Sequence, residues 1–284
     1  MGARMRIATW NVNSLKARLP RVEEWLAQRA PDVLLMQETK LADEAAPDMP
    51  FAMAGYELAH HGEGRWNGVA IASRVGVTNV VTNFGDGPVR RSPGPEGATP
   101  IAAALEAEAS VAPGDEARMI SAVCGGVRVV SIYAPNGRAL DTSFYRAKLA
   151  WFDRLARWLR ETQDPGGSLV IGGDFNVAPE DEDVYDPRAF AGATHVSAPE
   201  REAVAALRHW GLVDAYRLHH PEPGKFSWWD YRAGNFHKGL GMRIDHLYVT
   251  RAVADRCTAA EIDRDARKGQ LPSDHAPVYI DLAD

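Results

Sequence analysis

Cysteine is scarce in this sequence, with Cys124 and Cys257 the two examples in 284 residues. They lie far apart in the chain and lack metal-ligand spacing, so the sequence supports neither a disulfide framework nor a zinc site. A cysteine outside such sites usually behaves as a small apolar side chain. We therefore expect both thiols to pack in the interior.

Long apolar segments are missing as well. No apolar run reaches the roughly 18 residues that a membrane-spanning helix needs, and the amino-terminal MGARMRIATW has no stretch of signal-peptide length. We therefore expect a cytoplasmic protein without a membrane partner. With 45% hydrophobic and 25% charged residues, the chain is neither fibrous nor disordered, and its length permits one large core or two modest ones.

A surplus of positive charge, which duplex-binding proteins usually carry, is absent, because the formal net charge is −6. Basic residues nevertheless cluster locally. Each cluster alone is typical of a solvated surface, but together they could line one groove. The clusters are Arg4, Arg6, Lys16, Arg18 and Arg21, then Arg232, Lys238 and Arg243, and finally Arg264, Arg267 and Lys268.

The stretch SLVIGGDFNVAP, residues 168–179, has the most informative local pattern. Residues 169–171 form a short apolar run between two glycine pairs, which predicts a buried strand that ends in a glycine-permitted turn. Asp174 and Asn176 follow at that turn and project to the same side if the chain stays extended. A Gly-Asp turn that only caps a strand is the ordinary interpretation of such a motif. Matching polar residues at other strand ends favour a functional site instead.

These other strand ends are distributed over the whole chain. Apolar runs predict strands over residues 6–10, 33–36, 68–72, 77–81, 118–123, 127–133, 243–249 and 278–282, and amphipathic patterns predict helices over 20–30, 142–162 and 199–210. A sandwich of sheets whose strand ends converge on one edge would bring the polar residues into one pocket. These residues are Asn11, Glu38, Tyr133, Asp174, Asn176, Asp245, Asp274 and His275.

The chemical types of these side chains suit one reaction. Carboxylate and amide oxygens are hard ligands, which predicts Mg²⁺ or Mn²⁺ rather than zinc. Hydrolysis of a phosphodiester requires a cation, donors aimed at the developing charge and a base for water. The set supplies all three. Near the carboxyl terminus, FSWWDYR clusters four aromatic side chains beside Arg232; such clusters are more often core, yet they also suit a site that holds an extruded nucleotide.

Eight motifs follow one another along nearly the whole chain: TWNVNSLKAR, LLMQETK, NGVAIAS, YAPNG, IGGDFNVAP, FSWWDYR, MRIDH and PSDHAPV. In this order they resemble the motifs of the exonuclease III class of AP endonucleases, in the endonuclease/exonuclease/phosphatase superfamily. The resemblance implies an α+β fold with a single domain over residues 1–284, built as a four-layer αββα sandwich of two mixed sheets flanked by helices. It also implies a Mg²⁺-dependent DNA repair enzyme that cleaves 5′ to abasic sites and removes nucleotides or blocking groups from 3′ ends.

The resemblance assigns the metal ligands position by position. Glu38 matches the principal ligand and is supported by Asn11 and, across the site, by Asp274. A wider ligand set adds Asp174, Asn176 and His275. Asn13 stands where some relatives carry an aspartate, so the number of metal ions stays open.

The resemblance also assigns the catalytic roles. Asp174 matches the residue that activates or positions the attacking water, and Asn176 would hold that water or a phosphate oxygen. His275 would donate to a phosphate oxygen, with its tautomer fixed by Asp245. Tyr133 would contact the phosphate or assist the leaving oxygen.

The expected partner is double-stranded DNA with an abasic site or a 3′ end, bound by a monomer. By the same resemblance, Trp228, Met242 and Ile244 would form the wall of the abasic-sugar pocket. Asn136 would contact a phosphate, and Arg138 lies near where some relatives insert an arginine into the duplex. Residues 86–114 form a longer insertion than the family predicts and could change substrate access.

Three alternative functions stay open at this stage. The first is hydrolysis of a phosphodiester or phosphomonoester outside DNA, against which FSWWDYR and MRIDH argue. The second is a non-catalytic DNA-binding module, which is disfavoured because every catalytic position carries a competent residue. The third is a 3′-exonuclease with little activity at abasic sites, and it depends on the shape of the loops around the pocket.

Overall fold

The computed structural model describes residues 4–85 and 116–284, so the predicted insertion at 86–114 lies outside the described residues. The strands of the described ranges are β1 (Arg4–Asn11), β2 (Val33–Gln37), β3 (Glu57–His61), β4 (Val69–Ser73), β5 (Thr78–Thr82), β6 (Met119–Cys124), β7 (Val127–Tyr133), β8 (Leu169–Asp174), β9 (Leu212–Asp214), β10 (Asp245–Thr250), β11 (Cys257–Ile262) and β12 (Val278–Ala283).

The helices of the same ranges differ widely in length. They are α1 (Leu15–Arg29), α2 (Asp48–Met53), α3 (Ser143–Thr162), α4 (Ala198–Trp210), α5 (Ala215–His219), α6 (Asn235–Lys238) and α7 (Arg251–Ala254), with 3-10 turns at Asp43–Ala45, Asp181–Asp183, Pro187–Phe190, Arg232–Gly234 and Arg264–Arg267. Among these described helices, none combines the length and the apolar character needed to cross a bilayer.

The strands form two six-stranded sheets with related topology. The first has the order β11-β12-β1-β2-β4-β3 and the second the order β5-β6-β7-β8-β10-β9. Each sheet is mixed, because β1 and β2 pair in parallel in the first, β7 and β8 pair in parallel in the second, and the other pairs are antiparallel. The parallel pair at the centre of each sheet directs two carboxyl-terminal strand ends to the same edge.

Side chains that alternate along the central strands produce the layers. In the first sheet, Ile7 and Leu35 belong to the apolar cluster between the sheets, whereas their neighbours Ala8 and Leu34 belong to the cluster that includes Trp25 of α1. Both faces are buried, which is why these strands are continuous apolar runs in the sequence.

The second sheet repeats this pattern. Val129 and Val170 face the interior, and Val130 and Ile171 pack in the cluster that includes Leu155 of α3. The order is therefore helix, sheet, sheet, helix, and the predicted four-layer α+β sandwich is confirmed. Cys124 is buried in the interior cluster, as the sequence predicts, whereas Cys257 packs against that cluster and is only half-buried.

Helix α1 begins five residues before the prediction, at Leu15 rather than at Pro20. The reason is local. The Ser14 hydroxyl caps the helix by accepting a hydrogen bond from the Ala17 amide at 3.4 Å, and Leu15 is fully buried. The first turn is therefore stabilised both by a cap and by packing. Pro20 therefore lies inside the helix. Its missing N–H costs one backbone hydrogen bond there.

The glycine pair at 172–173 does not form the predicted turn, because β8 continues through it to Asp174. A Cβ atom at Gly172 would lie 2.6 Å from Leu247 Cδ2 and 2.7 Å from Leu35 Cδ1. Leu247 belongs to the second sheet, like Gly172 itself, and Leu35 belongs to the first. Glycine at this position therefore allows the two leucine side chains to pack closely between the sheets.

We expect Gly172→Ala to lower the free energy of unfolding by about 1–3 kcal/mol, since the added methyl group overpacks a closed interior. Urea denaturation would measure the change. Gly166→Ala is the matched control, because its nearest neighbour would be the Asp164 carboxylate at 3.4 Å in an exposed turn. Equal stability of the two variants would contradict the packing argument.

Candidate active site

The ends of the central strands meet at one edge of the sandwich. Asn11 ends β1 opposite Gln37 of β2 in the first sheet. In the second sheet, Asp174 at the end of β8 pairs with Tyr133 of β7 on one side and with Asp245 of β10 on the other. The predicted convergence of polar strand ends is therefore what the fold produces.

The amide of Asn11 connects the carboxylates of both sheets. Its Nδ2 donates to Glu38 Oε1 at 2.8 Å and to Asp174 Oδ2 at 2.9 Å, and its Oδ1 accepts from the Asn13 amide at 3.0 Å. In this arrangement Asn11 therefore orients two carboxylates, and its own oxygen is bonded to the Asn13 amide rather than offered to a metal ion. Glu38, Asp174 and His275 form the group that could hold a metal ion, with one ligand atom from each within 4.8 Å of the others.

The electrostatics of the two carboxylates in this group, Glu38 and Asp174, fit a cation. Burial raises the pKa of Asp174 to about 7, the negative charges of Asp245 and Glu38 add to the effect, and the charge of His275 opposes it. Two carboxylates held this close repel each other in a buried setting. A divalent cation between Glu38 and Asp174 would relieve that repulsion, and oxygen ligands suit Mg²⁺ or Mn²⁺.

His275 and Asp245 form a buried pair beside Asp174. His275 Nδ1 lies 2.8 Å from Asp245 Oδ2, and its Nε2 lies 3.8 Å from Asp174 Oδ2. The Ser227 hydroxyl donates to Asp245 Oδ2 at 2.7 Å and holds that carboxylate in place. Burial lowers the pKa of His275, but the charges of Asp245 and Asp174 outweigh this effect and raise the pKa to about 10. The imidazole is therefore a cationic donor at neutral pH.

Asp274 lies outside the three-residue group and has partners of its own. Its Oδ1 accepts from Asn13 Nδ2 at 2.9 Å, and its Oδ2 accepts from Trp228 Nε1 at 3.0 Å. Asn13 Oδ1 in turn accepts from the Lys40 ammonium at 2.6 Å, and that ammonium is 2.9 Å from Glu38 Oε2. Asp274 is thus linked to Glu38 through two side chains.

The loops after β7 and β8 bring two asparagines together. Asn136 Nδ2 donates to Asn176 Oδ1 at 3.2 Å, and Asn176 Nδ2 donates to the Ala134 carbonyl at 2.9 Å. Asn176 is buried and Asn136 is exposed. Nearby, burial and the charge of Glu38 raise the pKa of Tyr133 well above its ordinary value, so its hydroxyl keeps its proton.

The residues predicted to contact DNA lie on two sides of the carboxylates. Trp228 is half-buried with its ring centroid 6.5 Å from that of His275, whereas Met242 and Ile244 are 2% and 3% exposed in an apolar cluster next to it. Arg138 lies on the other side, over the Phe144 ring at 3.7 Å. It lines a cavity of about 200 Å³ that also reaches Glu38, Tyr133 and Asn136.

Four further polar residues contact the site and are absent from the sequence-based set. Lys40 lies two residues after Glu38 in the motif QETK, so its positive charge is visible in the sequence. The Arg118 guanidinium lies 4.9 Å from the centroid of the Tyr133 ring, and Lys148 Nζ and His195 Nδ1 lie 2.7 and 2.5 Å from the Asn176 carbonyl oxygen. Lys148 carries no sequence signal, because a lysine in an amphipathic helix is normally exposed.

A model of the endonuclease/exonuclease/phosphatase family matches residues 8–275 of the chain. Over 287 aligned positions the chain is 31% identical to exodeoxyribonuclease III of Haemophilus influenzae, covering 98% of this chain and 100% of that relative.

Two solved structures are also similar over almost their whole length. An AP endonuclease from Archaeoglobus fulgidus has 33% identity and a TM-score of 0.86, with 99% of both chains covered. A variant of the 3′ phosphatase NExo from Neisseria, bound to a product DNA hairpin, has 36% identity and a TM-score of 0.85, with 99% of this chain and 100% of that chain covered.

In protein stripped of divalent cations, we expect Asp245→Asn to lower the pKa of His275 from about 10 toward neutrality, because the largest favourable charge on the imidazole is removed. NMR titration of the histidine ring protons would measure it. Asp141→Asn, which changes an exposed loop residue, should leave the titration as it is. An unchanged His275 titration in the Asp245 variant would refute the pairing.

Proposed function

The chain belongs to the endonuclease/exonuclease/phosphatase family and to its exonuclease III class of AP endonucleases, and on that basis we propose that this nuclease is a Mg²⁺-dependent DNA repair enzyme. It hydrolyses the phosphodiester 5′ to an abasic site, and it removes nucleotides or blocking groups from 3′ ends. The observation that carries the proposal is the group formed by half-buried Glu38 with buried Asp174 and His275 at the edge where both sheets end.

Glu38 and Asp174 would hold the cation, Mg²⁺ or Mn²⁺, with Asn11 orienting both carboxylates. When bound, the cation neutralises phosphate charge and stabilises the leaving oxygen. Asn13 and Lys40 connect Glu38 to Asp274, so Asp274 would help to hold Glu38 in position through these two side chains.

The proposed chemistry divides two proton roles between two buried groups, a carboxylate and an imidazole, whose pKa values are both raised. Asp174, made more basic by burial and by the charges of Asp245 and Glu38, accepts a proton from the attacking water, and the asparagine pair Asn136 and Asn176 positions the water and a phosphate oxygen. His275, kept cationic by Asp245, donates from Nε2 to a phosphate oxygen as negative charge develops there. The neutral Tyr133 hydroxyl assists the leaving oxygen. Pairs of groups with separated pKa values are typical of acid and base catalysis.

Double-stranded DNA is the proposed substrate. Support comes from the relatives, whose names describe an exodeoxyribonuclease, an AP endonuclease and a DNA-bound 3′ phosphatase. Within the chain, Trp228 with Met242 and Ile244 would form an apolar wall for an abasic sugar, and Arg138 would contact the duplex from the other side of the carboxylates.

A second candidate is a 3′ end-processing nuclease with little incision at abasic sites. The near-complete burial of Met242 and Ile244 favours it, because side chains packed in a closed cluster leave little surface for an extruded sugar. The name of the Neisseria relative, a 3′ phosphatase, agrees with this alternative. The single domain, the monomeric state and the cytoplasmic location stay predictions.

The test uses two labelled duplexes, one with a central abasic-site analogue and one undamaged with a recessed 3′ end. Each is incubated with the protein in Mg²⁺ and in EDTA. We expect one Mg²⁺-dependent cut at the lesion and a ladder from the recessed end. A ladder without the cut would select the second candidate, and cleavage of neither duplex by folded protein would refute both.

We expect Asp174→Asn and His275→Ala each to lower kcat at least 100-fold, on the order of the loss seen when a group that stabilises the transition state is removed. The Kd for the duplex should change little, because both groups act on the developing charge rather than on bound DNA. Single-turnover rates and fluorescence anisotropy would separate the two effects. A comparable loss of affinity in either variant would remove that residue from its catalytic role.

A further inference from the structure

Lys148 is a fully buried lysine in the second turn of α3, and its ammonium contacts both loops that carry the asparagine pair. Nζ lies 2.7 Å from the Asn176 carbonyl oxygen and 3.2 Å from the Asn136 carbonyl oxygen. A third contact, at 2.5 Å, goes to Glu200 Oε1. Since an ammonium has three N–H donors, these contacts use all of them. Lys148 therefore joins α3 to the loops after β7 and β8 and to α4.

Glu200 holds the ammonium in place and is itself fully bonded. Its Oε1 accepts from the Thr194 hydroxyl at 2.7 Å and from the His195 amide at 2.9 Å, and its Oε2 accepts from the Ser197 amide at 3.1 Å and the Ser197 hydroxyl at 2.5 Å. Burial raises the pKa of this carboxyl, but the charge of Lys148 and the hydrogen bonds outweigh it and lower the pKa. The ion pair is therefore charged at neutral pH.

The two backbone carbonyls that Lys148 binds belong to the residues whose side chains bind each other. Asn136 Nδ2 donates to Asn176 Oδ1, and Thr194 Oγ1, whose proton goes to Glu200, lies 3.1 Å from the Asn136 carbonyl oxygen. Asn176 has a left-handed backbone with φ of 51°, a conformation in which asparagine is enriched among the non-glycine residues. Lys148 thus fixes the main chain at both ends of the asparagine pair.

Stability alone does not explain a lysine at this position. The same face of α3 is packed with large apolar side chains such as Trp151, Phe152 and Leu155. Replacing a buried ion pair by apolar residues of similar volume is often neutral or stabilising, because the charges no longer have to leave water. Apolar residues at both 148 and 200 would satisfy the core here, so the ion pair is explained by the loops that it holds.

We propose that Lys148 is a positioning residue for the phosphodiester hydrolysis described above. It sets the separation of the loops after β7 and β8 and so aims Asn136 and Asn176 at one phosphate group. It touches neither the substrate nor the cation and acts through the asparagine pair. The proposal rests on the proposed function for the identity of the reaction, whereas the effect on the loops does not depend on it.

The first test is Lys148→Met, with Lys148→Met/Glu200→Gln as a second variant that leaves no unpaired buried carboxylate. For both we expect kcat to fall about 100-fold, because displacement of a catalytic group by about 1 Å has an effect of that size. KM for the duplex should change by less than about threefold, since ground-state binding is retained.

Leu155→Ala is the matched control, since Leu155 is buried on the same helix and packs in the apolar cluster away from both carbonyls. This variant loses packing but should keep kcat within about twofold at a temperature where it is folded. An equal loss of kcat in Leu155→Ala and Lys148→Met would show that the lysine only stabilises the helix, and would overturn the proposal.

A mutant cycle tests whether Lys148 acts through the asparagines. In the Asn136→Ala/Asn176→Ala background, Lys148→Met should lower kcat by less than about twofold, because the side chains that it positions are gone. A further 100-fold loss in that background would assign Lys148 another role and overturn the proposal.

Hydrogen exchange separates this proposal from the proposed function. In Lys148→Met without substrate, we expect at least tenfold faster amide exchange in peptides covering residues 133–137 and 174–178, and Leu155→Ala should leave these loops protected. This readout needs no nuclease activity, so it remains decisive if the protein cleaves neither duplex. Unchanged exchange in both loops of Lys148→Met would overturn the proposal.

Discussion

The hydrogen bonds of one buried amide join the two sheets at the edge where the site lies. Asn11 ends a strand of the first sheet, and its Nδ2 reaches Asp174, which ends a strand of the second sheet, as well as Glu38. The sheets approach this closely because Gly172, two residues before Asp174, has no side chain between Leu35 and Leu247. A larger residue there would have to displace one of these leucine side chains from the interior between the sheets.

This close approach concentrates charge in a buried place, and the pKa values follow from it. Asp174 is made a weaker acid by burial and by its acidic neighbours, whereas His275 is kept cationic by Asp245 and Asp174 despite its burial. Within a few ångströms the site therefore holds a carboxylate that can take a proton near pH 7 and an imidazole that keeps one. A cation that binds Glu38 and Asp174 would relieve the repulsion between these two carboxylates.

Buried ion pairs in the second sheet's half of the molecule hold the elements that carry the site. Lys148 and Glu200 connect α3 and α4 to the loops of the asparagine pair. Arg243 lies next to Ile244 and Asp245, and its guanidinium contacts Asp183 at 2.7 Å and Asp214 at 2.8 Å. Because both networks are almost fully removed from water, each fixes geometry more than it adds stability.

Most strands, the order of the motifs and the chemical types at the strand ends could be predicted from the sequence, because apolar period and turn residues are local properties. The sequence could not show that Gly172 serves sheet packing, that Ser14 starts α1, or that Asn11 donates to two carboxylates. Nor could it distinguish Lys148 from a solvated lysine. Each of these depends on partners that are distant in the sequence or on a choice between competing caps, and only the packed chain decides which atoms face one another. The sequence by itself thus determined which groups reach this edge, and the tertiary structure decided which of them bind, orient or support the others.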